Sequence, residues 1–427
     1  MLRAIATTFL FVACISEIVL GNIARNGEDR HLELMPIQEV ITRFDRYRRQ
    51  AQAWGPGVVP TKRIDYFFKD GISQAAKDLF LKATKAWEKY TCVKFKENTT
   101  PSTERMLVTD EGTQCLYKRN RTGRGMKIMY VGCGYFGGAA HEVGHSLWLD
   151  HTHNRHDRDK HLDVNDKSIE QEYYRLSHKL PGVSLQVYKE QYKKLTTSEN
   201  KNYDIPYDYG SIMHYGSSGP NPTMTPKDRK YHKTMGSPLI SFTDLAMVNK
   251  HHNCEDSCRG KPTECANRGF PNPNNCDICV CPSGYGGDRC EDKPDKCGKV
   301  LNATEKWQTV AREIYNKKVH GDYFKCTNWI KGPKGTKIEV QILEVSRASE
   351  WYPQGCVIAG IELKTNADQR LTGYRFCSED DVKTELKSES NLVPFITYSM
   401  HTTNWLKVKL RYRYGRSFSL DCELLQM

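Results

Sequence analysis

His141-Glu142-Val143-Gly144-His145 sets two imidazoles four residues apart. On a helix that spacing is one turn, so both rings project from one face. Neutral imidazole nitrogens suit zinc, and a hydrolytic zinc centre takes three protein ligands and keeps one position for water. His151, six residues beyond His145, is the natural third ligand. A metal there lowers the pKa of its water to about 7, and Glu142, next to the ligands, can take the proton as the water attacks a peptide carbonyl. The expected cofactor is one Zn2+ per chain and the expected chemistry is metal-assisted hydrolysis. A surface helix with accidental histidines is the alternative, and the correctly placed third ring weighs against it.

The run from His141 to His151 is similar to the metzincin pattern H-E-x-x-H-x-x-G-x-x-H, which is followed later by a Met-turn. Ser211-Ile212-Met213-His214-Tyr215 resembles the Met-turn of one metzincin family, the astacins, and Arg155-His156-Asp157-Arg158-Asp159 resembles the astacin continuation. The resemblance implies an α+β metzincin protease domain built around an active-site helix. It implies His141, His145 and His151 as zinc ligands, Glu142 as general base and then acid, and Met213 as a hydrophobic floor under the metal. Tyr215 becomes a fifth ligand that swings away to stabilise the oxyanion. On its own, Met213 reads as core packing and Tyr215 as a half-buried residue.

Two positions depart from the family. Trp148 stands where the pattern has Gly, a residue that ends helices with a positive φ at little cost. Either Trp148 adopts that conformation, storing roughly 1–3 kcal/mol, or the turn to His151 takes another path. Thr152 stands where astacins usually have a Glu that contacts the buried amino terminus of the mature enzyme.

The elements that must position these residues are legible as patterns. Ile64-Asp65-Tyr66-Phe67 reads as a strand, and Ala76, Leu79, Phe80, Ala83, Ala86 and Trp87 fall at helical spacing between Ser73 and Tyr90, with Ser73 as N-cap. That helix is expected to pack under the sheet. Lys127–Val131 reads as a short buried strand before a Gly-rich turn, and the active-site helix is expected to start near Tyr135. Residues 152–210 read as a long polar segment with helical patches and few sheet contacts.

With 427 residues the chain is long enough for two or three cored domains, and 38% hydrophobic with 27% charged residues is ordinary for a soluble protein. The net charge of +12 comes without a concentrated Lys/Arg block and interleaved aromatics, so nucleic acid is not an expected partner. Met1-Leu2-Arg3 followed by an apolar stretch to Ile15 reads as a signal peptide over residues 1–21. No later run is long enough for a membrane span, so the expected location is secreted, extracellular. Asn98, Asn120 and Asn302 open glycosylation sequons.

Residues 22–49 read as a propeptide ending in Arg46-Tyr47-Arg48-Arg49, a paired-basic run whose cleavage would start the mature chain at Gln50. Astacin prosegments usually keep the enzyme latent through a Phe-x-Gly-Asp motif, and only Phe44-Asp45 appears here. Residues 50–254 form the expected peptidase domain. Six cysteines then crowd into residues 255–290, a stretch too small to bury a core without disulfide staples, and Cys279 to Cys290 resembles the end of an EGF-like module. Residues 297–412 become strand-like, as in Lys337–Ile342 and Trp405–Leu410, and with their cysteines and Trp329 resemble a CUB β-sandwich. A tail, 413–427, follows.

The resemblances imply a disulfide framework. Cys92 with Cys254 and Cys115 with Cys133 match the long and short astacin bridges. The EGF-like order joins Cys258 with Cys276, Cys265 with Cys279 and Cys281 with Cys290. The CUB order joins Cys297 with Cys326 and Cys356 with Cys377. Of the sixteen cysteines, Cys14 leaves with the signal, and Cys422 is left over, either pairing between chains as a dimer link or remaining a thiol.

The chain therefore reads as a secreted zinc endopeptidase, made as a zymogen and acting on extracellular or matrix proteins, with non-catalytic EGF-like and CUB modules that position it on partners. The rival is a secreted zinc-binding protein that has lost turnover and acts through those modules.

Overall fold

Ser73 Oγ accepts the Ala76 N–H and caps α1, Gln74–Glu88, supplying one of the acceptors a helix start lacks. Phe80, Ala83 and Trp87 of α1 are completely buried against a sheet of β1 (Arg63–Phe68), β2 (Lys94–Glu97), β3 (Met106–Thr109), β4 (Cys115–Lys118) and β5 (Lys127–Val131). The computed structural model describes residues 61–100, 104–118, 127–179, 182–217, 219–261, 263–294, 297–314, 323–347, 354–400 and 406–416. The expected signal peptide, propeptide, Gln50, Asn120 and Cys422 lie outside them.

The strand order is β2-β1-β3-β5-β4. All pairings are parallel except that of β4, which runs antiparallel to β5 and forms one edge. After β5 the chain turns into α2, Phe136–Ser146. Trp87 Nε1 donates to the Ala140 carbonyl at 2.9 Å, fixing α2 on α1.

The segment after α2 has the expected helical patches and little sheet. It carries β6 (Leu162–Val164), which pairs antiparallel with β7 (Met224–Pro226), and the helices α3 (Asp166–Leu176) and α4 (Leu185–Lys189). The helix α5 (Phe242–His251) closes the unit, started by a reciprocal capping box between Ser241 and Asp244. Cys92–Cys254 and Cys115–Cys133 are bonded.

Residues 258–290 hold three bonds, Cys258–Cys276, Cys265–Cys279 and Cys281–Cys290, around the hairpin β8 (Phe270–Asn272) and β9 (Asn275–Val280). A β-sandwich follows, built from β10 (Val300–Asn302), β11 (Gln308–Ile314), β12 (Phe324–Lys331), β13 (Thr336–Arg347), β14 (Ala359–Leu363), β15 (Tyr374–Phe376), β16 (Glu385–Lys387), β17 (Leu392–Ser399) and β18 (Leu406–Arg416). Its sheets run β10-β12-β17-β14-β15 and β11-β18-β13-β16. Ile330, Ile338, Ile361, Leu363, Val393, Phe395 and Leu410 fill the space between them, and Cys297–Cys326 and Cys356–Cys377 are bonded. β18 continues past residue 412, because Arg413 to Arg416 keep their ladder with Thr336 to Glu339 of β13.

The three parts touch pairwise. Asn274 Nδ2 donates to the carbonyls of Glu88, Lys89 and Thr91 at 2.8, 3.1 and 3.2 Å. Trp329 Nε1 donates to the Gly284 carbonyl at 2.8 Å, and Thr372 Oγ1 donates to Asp208 Oδ2 at 3.1 Å. Among the described residues, no helix is long and apolar enough to cross a membrane.

Candidate metal centre

His141 and His145 project from the last turns of α2 with ring centroids 4.7 Å apart. The chain then reverses through a left-handed residue, as helices commonly end. Trp148 N–H bonds the His145 carbonyl at 3.0 Å and Leu149 N–H the Gly144 carbonyl at 3.1 Å, with Trp148 at φ +72°. Trp148 thus takes the conformation that the family's glycine takes, and the two hydrogen bonds hold a residue that pays roughly 1–3 kcal/mol for it.

This reversal delivers His151. Its Nε2 lies 3.2 Å from that of His141 and 3.1 Å from that of His145. His141 Nδ1 sits 2.7 Å from the Ile212 carbonyl and His145 Nδ1 2.7 Å from the Leu149 carbonyl, while His151 Nδ1 is 3.4 Å from Asp150 Oδ1. Each carbonyl can only accept a hydrogen bond, so Nδ1 of His141 and of His145 carries the proton and donates, leaving Nε2 as a lone pair. Lone pairs converging at these distances repel unless a cation sits between them, and outward-facing acceptors on the far nitrogens are the usual support of metal-bound imidazoles. The donor set fits zinc, and His141, His145 and His151 form a group able to hold a metal ion.

Glu142 is buried, and its Oε2 accepts the Tyr117 N–H of β4 at 2.7 Å. The carboxylate is thereby held between the active-site helix and the sheet edge. Beside it opens a small pocket, whose lining includes the Cys115–Cys133 bond, Tyr135, Glu142, Ile212, Ser237 and Pro238.

Met213 is 1% exposed. A Cβ on Gly144 would lie 2.7 Å from Met213 Sδ and 3.2 Å from Trp87 Cζ2, so the glycine between the two ligands is what lets the methionine in. The sequence pattern treats position 144 as variable and does not reveal this. The Tyr215 ring lies 4.5 Å from that of His151. Burial pushes His214 down to about 3 and keeps it neutral. It accepts from Tyr207 Oη at 2.7 Å, and its Nδ1 donates to the Tyr215 carbonyl at 2.7 Å, fixing that backbone.

Thr152 ties the third-ligand segment to the Met-turn. Its N–H donates to the Met213 carbonyl at 3.0 Å and its Oγ1 to Ser211 Oγ at 2.8 Å. Ser211 Oγ and the Ile212 N–H both donate to Asp244, at 2.5 and 2.8 Å. Burial pushes the Asp244 carboxyl up to about 6, opposed by those hydrogen bonds. A second buried carboxylate, Asp208, accepts from Gly210 N–H at 3.0 Å and Thr243 Oγ1 at 2.7 Å. Sequence reasoning missed both acids. The Ser241-x-x-Asp244 spacing is a capping-box signal that points to one of them; Asp208 has none. Of the sequons, Asn302 is exposed on β10, and Asn98 is half-buried with Nδ2 donating to Asp65 at 2.8 Å.

A family model described as Astacin, a peptidase family, matches residues 47–253. Zinc metalloproteinase nas-31 of Caenorhabditis elegans is 34% identical over 385 residues, covering 88% of this chain and 60% of that protein, so the chain spans about three fifths of that relative's length. Zinc metalloproteinase nas-25 of the same organism is 32% identical over 368 residues, covering 83% and 87%. Among solved structures, high choriolytic enzyme 1, a hatching enzyme zinc-protease from Oryzias latipes, aligns with 47% of this chain and 98% of its own at 23% identity and a TM-score of 0.39. With the metal-binding geometry on one side and a relative matched over most of its length on the other, the chain belongs to the astacin family of zinc metalloendopeptidases.

Proposed function

We propose that the protein is a secreted astacin-type endopeptidase, made as a zymogen, that hydrolyses peptide bonds of extracellular or matrix proteins. The observation that carries this reading is the convergence of three Nε2 atoms next to a carboxylate held by the sheet edge. Zinc held by His141, His145 and His151 supplies Lewis acidity and an acidified water. Glu142 takes the proton of the attacking water and passes it to the leaving amine, so the C–N bond breaks and one water is consumed. Tyr215, packed against His151 with its backbone fixed by His214, hydrogen-bonds the developing oxyanion. β4, the sheet edge beside Glu142, offers an extended peptide its backbone.

Residues 255–290 are read as an EGF-like module and 297–412 as the body of a CUB module, supported by the three staples and the two-sheet sandwich. Their role is to seat the enzyme on matrix partners. Fifteen extracellular cysteines would leave Cys422 to link two chains or stay a thiol. The rival, a zinc-binding protein without turnover, would be favoured if Trp148 and Thr152, the two departures from the family pattern, disturbed the site. Trp148 adopts the glycine conformation, and Thr152 holds the Met-turn, so neither favours it.

The test is cleavage of casein or gelatin by protein starting at Gln50, beside Glu142→Ala, with zinc measured on both. Wild type is expected to cleave in a chelator-sensitive manner, and Glu142→Ala to lose at least roughly 10²–10⁴-fold with zinc retained. Stoichiometric zinc without cleavage by either protein would establish the rival; absence of zinc would sink both.

A further inference from the structure

The pocket beside Glu142 has walls of two origins. On one side are α2 and the Cys115–Cys133 bond, both internal to the peptidase region. On the other are Gly236, Ser237 and Pro238, part of a stretch between the short turn at Arg229–Tyr231 and the Ser241 cap of α5 that has neither helix nor strand. The β-sandwich grips this stretch along its length. Lys233 Nζ bonds Ser378 and lies 2.7 Å from Asp381. Thr234 Oγ1 donates to the Gly373 carbonyl at 3.2 Å and accepts the Arg375 N–H at 3.0 Å. Arg375 Nη1 donates to Ser237 Oγ at 2.7 Å, while its Nε donates to Glu362 at 3.1 Å.

Leu239 completes the grip by packing into a cluster with the Cys356–Cys377 bond and Tyr398 of the sandwich. The approach is close: a Cβ on Gly355, itself at φ +77°, would lie 2.3 Å from the Gly236 carbonyl oxygen. Arg375 and Glu362 are 4% and 5% exposed by their side chains. A buried guanidinium aligned by its carboxylate presents its remaining N–H groups in a fixed fork, so Ser237 is held by a rigid donor.

We infer that the sandwich is part of the substrate-selecting apparatus: Arg375, oriented by Glu362, positions the Ser237 wall and so sets which peptide side chain the pocket accepts. Arg375 is a positioning residue and touches no substrate. Apart from Glu142 and His141 the lining is uncharged, and Tyr135, Ile212, Pro238 and the Cys115–Cys133 bond make much of it apolar, so the side chain it takes is uncharged and apolar. The inference rests on the endopeptidase reading for the meaning of the pocket, and not for the grip itself.

The test uses the full chain with zinc bound, as wild type, Arg375→Lys and Thr234→Val. Lysine keeps the charge opposite Glu362 and loses the fork; valine keeps the shape of Thr234 and loses both its hydrogen bonds. Binding of two peptide hydroxamates, one with Leu and one with Gly at the pocket position, is measured beside kcat and KM for the matching peptides, zinc content and melting temperature. Wild type should prefer Leu by roughly 10–200-fold. Both variants should lose about tenfold of that preference, through KM, with the Gly probe and zinc unchanged. Preference retained in both variants overturns the inference, whether or not the melting temperature falls. A wild type that discriminates between the hydroxamates and cleaves nothing overturns the endopeptidase reading alone.

Discussion

The metal centre and the Ser237 wall face one pocket and are built on opposite principles. The centre draws its three ligands from residues 141 to 151, on one helix and the turn that ends it. The wall draws its shape from residues 138 and 141 positions away, the separations of the Ser237–Arg375 and Thr234–Arg375 hydrogen bonds. Local geometry is enough to gather imidazoles, because a helix turn fixes their spacing. Shaping a cleft from a segment without secondary structure requires another body to press on it. The chemistry is therefore a property of the peptidase region, and the selectivity belongs to the whole chain.

The sharpest way to separate the two is His145→Ala. Zinc content and hydrolysis are both expected to vanish, while the sandwich contacts stay in place. Retained stoichiometric zinc would show that the ligands lie elsewhere. Asp208→Ala should act at the junction of the two bodies. Asp208 accepts from Gly210 and Thr243 on one side and from Thr372 N–H and Oγ1, at 3.2 and 3.1 Å, on the other. Its removal leaves buried donors unmet at about 2–4 kcal/mol, read as a lower urea midpoint with zinc still bound. An unchanged midpoint would mean that the two bodies are not coupled.

Acid should strain the peptidase body more than the sandwich. Burial pushes both His214 and His251 down to about 3. A folded value below the unfolded value of about 6.5 gives stability that is present above 6.5 and is lost as pH falls towards 3. Asp244, pushed up to about 6, has the opposite sign: its contribution is full below about 3.8 and is lost as pH rises through 6. Two groups against one predict a lower urea midpoint at pH 5 than at pH 7, and a steeper fall in Asp244→Asn. A flat profile in both would contradict the burial of the two histidines. The smallest effect is at Trp148. Trp148→Gly relieves the left-handed strain and should raise stability by about 1 kcal/mol without altering zinc content; a loss of stability would show that the indole's packing outweighs the backbone.

The same contrast explains what the sequence reveals. His141, Glu142, His145 and His151 are visible because ligand spacing is a local code, and α1 is visible because Phe80, Ala83 and Trp87 keep helical period while Ser73 caps it. For Trp148 the sequence leaves two paths open, and the Leu149–Gly144 hydrogen bond selects between them. Trp405–Leu410 reads as strand-like from its alternation, and the ladder runs on to Arg416 because the partner strand β13 starts at Thr336 opposite it, a length that periodicity does not carry. The Tyr117–Glu142, Asp208–Thr372 and Ser237–Arg375 contacts leave no trace in the chain order, since each depends on the final packing of distant segments.

Asn274 binds three carbonyls at the end of α1 and the residues after it, Trp329 reaches Gly284, and Thr372 reaches Asp208. The three parts thus close a triangle instead of forming a string. In a string each module touches only its neighbours in the chain, whereas here the first part and the last are also in direct contact. A load on the sandwich would consequently reach the peptidase region along two routes, directly through Thr372 and Asp208 and by way of residues 258–290 through Trp329 and Asn274.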